Sequence, residues 1–275
     1  QVWSTSFEGY ETKPKPNAPT GYSRLCLSCH DGTIALGTVV NPPGSGVPAS
    51  WNLYSPGTMP PGSGVTTGDT RVIGTNLQND HPVSFVYDSS LALRDEELVD
   101  PGPPLVPPAK VSDITPISPL RRHPGTDINV YDSVQCTSCH NPHAAKFSDG
   151  TTVPKFLRAN YYNEPENPAR GKVICLYCHD KPGWTGSSHD VATFIPYKEV
   201  GGHPTSANPY NYDGTHSVGQ YACRACHDPH TAQGAKRLLR EGVDFSNNLA
   251  IENTCYLCHR PAYEMGNPAN PPPDI

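Results

Sequence analysis

All ten cysteines of this 275-residue chain fall in one pattern, used five times. The copies are Cys26-Leu27-Ser28-Cys29-His30, Cys136-Thr137-Ser138-Cys139-His140, Cys175-Leu176-Tyr177-Cys178-His179, Cys223-Arg224-Ala225-Cys226-His227 and Cys255-Tyr256-Leu257-Cys258-His259. Thiols at this spacing lie one helical turn apart, and the next residue adds an imidazole beside them. Paired cysteines also build zinc tetrahedra, disulfide scaffolds and redox dithiols. None of those uses needs a His after every second Cys. Cys-x-x-Cys-His is the attachment sequence of c-type haem: the thiols bond the two vinyl groups and the His reaches the iron as proximal ligand. The pattern predicts five covalently bound haems, with His30, His140, His179, His227 and His259 on the irons.

The composition fits that reading. Leu, Ile, Val and Phe make up only 50 residues, while 32 prolines and 24 glycines punctuate the chain. So few apolar side chains cannot offset the entropy of ordering so much loop. Macrocycles can supply the missing apolar centre, and their bonds act as cross-links, as structural metals do. The expected fold is mostly irregular coil with a few short helices and very little sheet, wrapped round a chain of five haems. Without haem the chain is not expected to fold.

A net charge of −6 without any Lys/Arg-rich run leaves no basic patch for nucleic acid. No stretch approaches the length of a membrane span; the longest semi-apolar run, 33–40, is far too short. Gln1-Val2-Trp3-Ser4 has neither a basic nor an apolar leader region and no Cys for lipidation, as expected of a mature exported chain.

Beyond the five proximal histidines, seven remain: His81, His123, His143, His189, His203, His216 and His230. The only methionines are Met59, in a Pro-rich loop, and Met265, near the tail. Bis-His ligation is therefore the economical reading, and it sets lower potentials than His/Met. His143 and His230 are the best distal candidates. Each ends a Cys-His-Xaa-Pro-His element, where the intervening Pro directs the second imidazole away from its own haem and onto a neighbour. His81, His189 and His216 complete the set, with His123 and His203 as competitors for the places of His189 and His216. The competing, less favoured reading for each of these later candidates is a solvated loop histidine.

The motif starts are 110, 39, 48 and 32 residues apart. Residues 136–179 and 223–259 read as internal copies: each opens on Cys-His-Xaa-Pro-His, runs through Phe156-Leu157-Arg158 or Leu238-Leu239-Arg240, and closes on a plain motif. The organisation expected is a first haem with a long Pro/Gly-rich excursion over 1–130, a haem-pair module over 131–200, and a second over 201–275 with a Pro-rich tail. The haem chain should cross these boundaries within a single unit. Only Ser89 to Val99, with its Ser caps and Asp95, Glu96 and Glu97, reads as a helix.

The stretches Cys26–Thr33, Asp80–Phe85, Cys136–His143, Trp184–His189 and Cys223–His230 resemble the multihaem c-type cytochromes with doubled CXXCH motifs of metal-respiring bacteria and some archaea. The resemblance implies export, haem attachment outside the cytoplasm, bis-His ligation and long-range electron transfer. Some relatives polymerise into extracellular filaments, where one subunit lends a distal His to its neighbour. The expected function is thus electron transfer, as a filament subunit or alternatively a soluble periplasmic shuttle. The expected partners are copies of itself, other redox proteins or extracellular acceptors. A multihaem reductase needs an open iron, and those of the nitrite reductase type use a Lys-ligated motif; no Cys-x-x-Cys-Lys occurs here. A catalytic role is not expected. Five haems also exceed what a merely structural staple needs.

Overall fold

The computed structural model describes residues 19–33, 72–101, 133–143, 154–164, 173–195, 215–232 and 236–239, together with 150, 152, 254, 255 and 259. Regular structure among them is sparse. Helix α1 spans Gly21–His30, α2 Ser89–Asp95, α3 Cys136–Cys139 and α4 Val218–Tyr221. Strands β1 (Phe85–Val86) and β2 (Ser133–Val134) form one antiparallel pair, with Phe85 opposite Val134 and Val86 opposite Ser133. Short 3-10 turns open the third and fourth motifs at Ile174–Tyr177 and Ala222–Ala225. Two more one-turn 3-10 elements lie at Pro154–Phe156 and Lys236–Leu238, and most of the remaining described chain is coil.

Two helices depart from the sequence expectation. Helix α2 stops at Asp95, because Glu96 takes the left-handed conformation (φ 61°) and the following residues leave to pair with the third motif. Its N-cap is Asp88, whose carboxylate accepts the Leu91 N–H at 2.8 Å, and not a serine. Helix α1 was not legible as a helix. It starts at Gly21, whose φ of 55° turns the chain into it, and it carries the whole first motif on its last turns.

The apolar interior is small. Tyr87, Leu91 and Val134 form a buried cluster, against which Phe85, Leu98 and Cys178 pack. A polar hub lies beside it. Gln135 is fully buried between β2 and α3; its Oε1 accepts from Ser23 N (3.0 Å), Ser23 Oγ (2.6 Å) and Ser84 Oγ (3.3 Å). Its Nε2 donates to Ser133 Oγ at 2.9 Å, and Cys136 N donates to Ser23 Oγ at 3.0 Å. Both polar atoms of this side chain are thus met, as burial requires, and its Oε1 joins the helix of the first motif to the start of the second. No helix among the described residues is long and apolar enough to cross a membrane.

Candidate haem-ligand sites

One backbone device recurs at three motifs. The residue after the second cysteine, the motif His, forms a single antiparallel bridge with a leucine: His140 with Leu157, His179 with Leu98 and His227 with Leu239. Asn141 N donates to Phe156 O and Arg158 N to Cys139 O at the second motif. Val99 N donates to Cys178 O and Asp180 N to Glu97 O at the third; Asp228 N donates to Leu238 O at the fourth. The approach to the leucine is made in left-handed backbone, at Lys155 and Phe156 and again at Arg237 and Leu238. These non-glycine residues accept an unfavourable conformation that places a carbonyl against the imidazole. His140 Nδ1 meets Lys155 O at 2.9 Å, and His227 Nδ1 meets Arg237 O at 2.8 Å. A carbonyl can only accept, so Nδ1 carries the proton and the Nε2 lone pair is left for a metal.

The fold then sets imidazoles opposite one another across gaps, two pairs edge-on (80° and 88° between planes) and His140/His230 closer to parallel (28°). His140 and His230 have ring centres 6.2 Å apart, His179 and His81 6.2 Å, and His259 and His189 5.9 Å. Two imidazoles on opposite sides of one metal, each metal–nitrogen bond about 2 Å and each nitrogen about 1.1 Å from its ring centre, stand about 6 Å apart. Each pair combines a motif His with one of the other histidines, and the spacing fits an iron between them. His81 Nδ1 meets Pro82 O at 2.9 Å, which fixes its tautomer in the same way. Burial presses His140 and His179 down to about 4 and lowers His81 as well, so these rings stay neutral at neutral pH, the form that binds metal.

Two of these pairs share a clamp. His81 N donates to Pro229 O at 2.8 Å, Ala232 N to Asn79 O at 2.9 Å, and Thr231 N to the Asp80 carboxylate at 3.1 Å. Asp80 Oδ1 also meets His230 Nδ1 at 3.3 Å. The Cys-His-Xaa-Pro-His element of the fourth motif thereby turns His230 onto His140 of the second. The loop bearing the exposed His189 is held by Asp190, whose carboxylate accepts from Gly186 N (2.9 Å) and Asn163 Nδ2 (3.1 Å).

The other candidates are held in different ways. His143 is exposed, its backbone N–H on Asn141 Oδ1, and it faces no imidazole among the described residues. His216 stacks flat on Tyr162 with ring centres 3.7 Å apart, its Nδ1 3.1 Å from Thr215 Oγ1. His30 ends α1, where its carbonyl accepts from Ile73 N at 2.7 Å. His123, His203, Cys258, Met59 and Met265 lie outside the described residues.

The described cysteines form no disulfide, and no group of three or more His, Cys, Asp or Glu converges on a metal position among the described residues. The thiols meet in twos. Cys136 lies against Cys26 and Cys175 against Cys223; in each case the neighbouring thiol pushes one member up (Cys136, Cys175) and pulls the other down (Cys26 to about 7, Cys223). Burial raises Cys139 to about 12. The sequence repeat groups motif two with three and four with five, whereas the thiol contacts run from one to two and from three to four. Gln135 escaped sequence reading. Asp80 was read only as the first residue of the Asp80–Phe85 stretch, directly before a candidate ligand, and was given no role of its own.

A family model for the doubled CXXCH motif matches residues 216–264, the stretch holding the fourth and fifth motifs. No curated protein and no solved structure matches the chain. The match supports a multihaem c-type cytochrome that binds haem covalently and transports electrons.

Proposed function

We propose that the chain holds five c-type haems, each iron between two imidazoles, and conducts electrons over long range as a subunit of an extracellular filament. The observation that carries this reading is the set of three imidazole pairs at 5.9–6.2 Å. On this reading His230 serves the iron of His140, His81 that of His179 and His189 that of His259, which the ring spacing supports. His143 and His216 are left for the irons of His30 and His227, with His123 and His203 as alternatives. When bound, each haem supplies a one-electron iron couple, which two imidazoles keep at lower potential than His/Met.

The protein's part is spacing and ligation. Cys-to-Cys contacts join motif one to two and three to four, and the clamp of 79–81 on 229–232 joins the second site to the third. These contacts link four of the five sites in series, as conduction needs, and His189, from just after the third motif, reaches the fifth by facing His259. Filling every iron's two axial positions also leaves none for a substrate, so the reading is non-enzymatic. Export, with the cell surface or outside as destination and the periplasm as the alternative, follows from attachment of c-type haem outside the cytoplasm. Partners are further copies, with a distal His lent across the junction, and other redox proteins or extracellular acceptors.

Near-infrared magnetic circular dichroism of the oxidised holoprotein tests the ligation. Bands of bis-imidazole low-spin iron alone are expected; a His/Met band or high-spin iron at neutral pH overturns it. Haem content should come to five per chain. Negative-stain electron microscopy tests assembly: long uniform filaments are expected, and compact particles at every concentration would leave a soluble shuttle.

A further inference from the structure

The two sites sharing the 79–81 clamp differ in one respect that bears on their potentials. His81, facing His179, meets a neutral carbonyl through Nδ1, and so do His140 and His227. His230, facing His140, meets the carboxylate of Asp80 instead. Asp80 is only 3% exposed, and its Oδ2 accepts nothing among the described residues. Solvent is excluded from the carboxylate, so its negative charge is poorly screened and acts on the ring it touches.

We propose that Asp80 is a positioning and tuning residue, one that makes the His140/His230 iron the lower-potential member of the two clamped sites. The inference rests on the bis-imidazole reading above. A carboxylate accepting from Nδ1–H draws the proton away from the ring, makes Nε2 a stronger donor and favours ferric over ferrous iron. A carbonyl acceptor does the same more weakly. Asp80 also fixes direction: with Thr231 N on the same oxygen, it sets the His230 ring by a chain segment 150 residues away. Because Asp80 and His81 are consecutive, the backbone that positions one distal ligand tunes the iron of the other.

The experiment is a spectroelectrochemical titration of holoprotein carrying Asp80→Asn, Asp80→Glu or, as a control for lost surface charge, Asp95→Asn. Asp80→Asn is expected to move one haem's midpoint positive while the others hold, Asp80→Glu to restore it, and Asp95→Asn to move none. Unmoved midpoints in a fully loaded Asp80→Asn protein overturn the inference, as does a uniform drift of all of them. If Asp80→Asn does not load haem, the wild-type protein decides. Its near-infrared magnetic circular dichroism should then contain one component displaced toward imidazolate ligation; a single undisplaced bis-imidazole band overturns the inference. Failure of the parent reading looks different, since it removes the bis-imidazole bands themselves.

Discussion

Two junctions between neighbouring motifs are each marked by one thiol touching another, yet they are built from opposite materials. Around Cys26 and Cys136 the joint is directional: Gln135, fully buried, is committed at both ends of its amide to Ser23, Ser84 and Ser133. Around Cys175 and Cys223 it is stacked: the Arg224 guanidinium lies 3.6 Å over the Tyr161 ring, with Tyr162 and Tyr221 at 5.9 and 5.8 Å. Tyr162 in turn stacks on His216. A hydrogen-bond network with no slack fails in one step, because each lost partner leaves a buried group unsatisfied. A cation over several rings loses strength gradually as it moves. Close approach of two motifs therefore does not dictate a particular joint; it asks only that water be kept out and polar atoms be met.

The largest effect should come from breaking the directional joint. Gln135→Leu leaves the Ser23 N–H, the Ser23 hydroxyl and the Ser133 hydroxyl without this partner, at about 4 kcal/mol for these buried groups together. Chemical denaturation of the holoprotein, followed at the Soret band, should show the midpoint fall by that amount; a change under about 1 kcal/mol would mean the amide is not what holds the joint. Next comes a steric break on the stacked side. Gly219, the second residue of helix α4 just before the fourth motif, has room for no side chain: an added Cβ would lie 2.3 Å from Asp190 O and 3.0 Å from Ala192 O. Gly219→Ala should cost about 3 kcal/mol as overpacking. It should also disturb the site containing His189, directly before Asp190, so that one bis-imidazole signal weakens first on heating. Arg224→Met should cost less, about 2 kcal/mol, since a buried apolar chain replaces the cation while the tyrosines keep their mutual contacts. If Arg224→Met proves worse than Gln135→Leu in the same assay, the contrast between the joints is reversed.

How much of this could be read from sequence depends on how far apart the cooperating residues lie. The cysteines and proximal histidines were legible because ligation and attachment fall within five consecutive residues. The distal set was reached by subtraction from twelve histidines, which names candidates but not pairings. His230 was expected to point away from its own motif, since the Pro before it is a local restraint, and its ring does lie opposite His140. That it faces His140 depends on Asp80 and Asn79, which act from far up the chain. The leucine bridges show the same limit. Leu157 and Leu239 were seen as a repeat because both follow their motifs, whereas Leu98 precedes its motif by most of a module and was absorbed into an expected helix. Gln135 gave no signal at all, because a polar residue beside a motif reads as surface until its neighbours from 23, 84 and 133 are known. The low content of regular structure was legible from the proline, glycine and apolar counts.

The smallest predicted effect asks whether the two joints are independent. Tyr87 sits between them: its ring packs on Val134, next to Gln135, while its hydroxyl donates to Val99 O and, at 3.2 Å, to Cys178 O of the third motif. Burial raises this phenol above its usual range, so it stays a donor at any working pH. Tyr87→Phe keeps the ring and its packing. Cys178 O also keeps the Val99 N–H at 2.8 Å, so one acceptor remains satisfied and the cost should be only about 1 kcal/mol. The double variant with Gln135→Leu then decides the question. Costs that add within about 0.5 kcal/mol mean that each joint is held locally, as the difference in their construction implies. A clear departure from additivity would mean that strain at the polar joint reaches the stacked one through the Tyr87 ring, and that the two materials serve one cooperative unit.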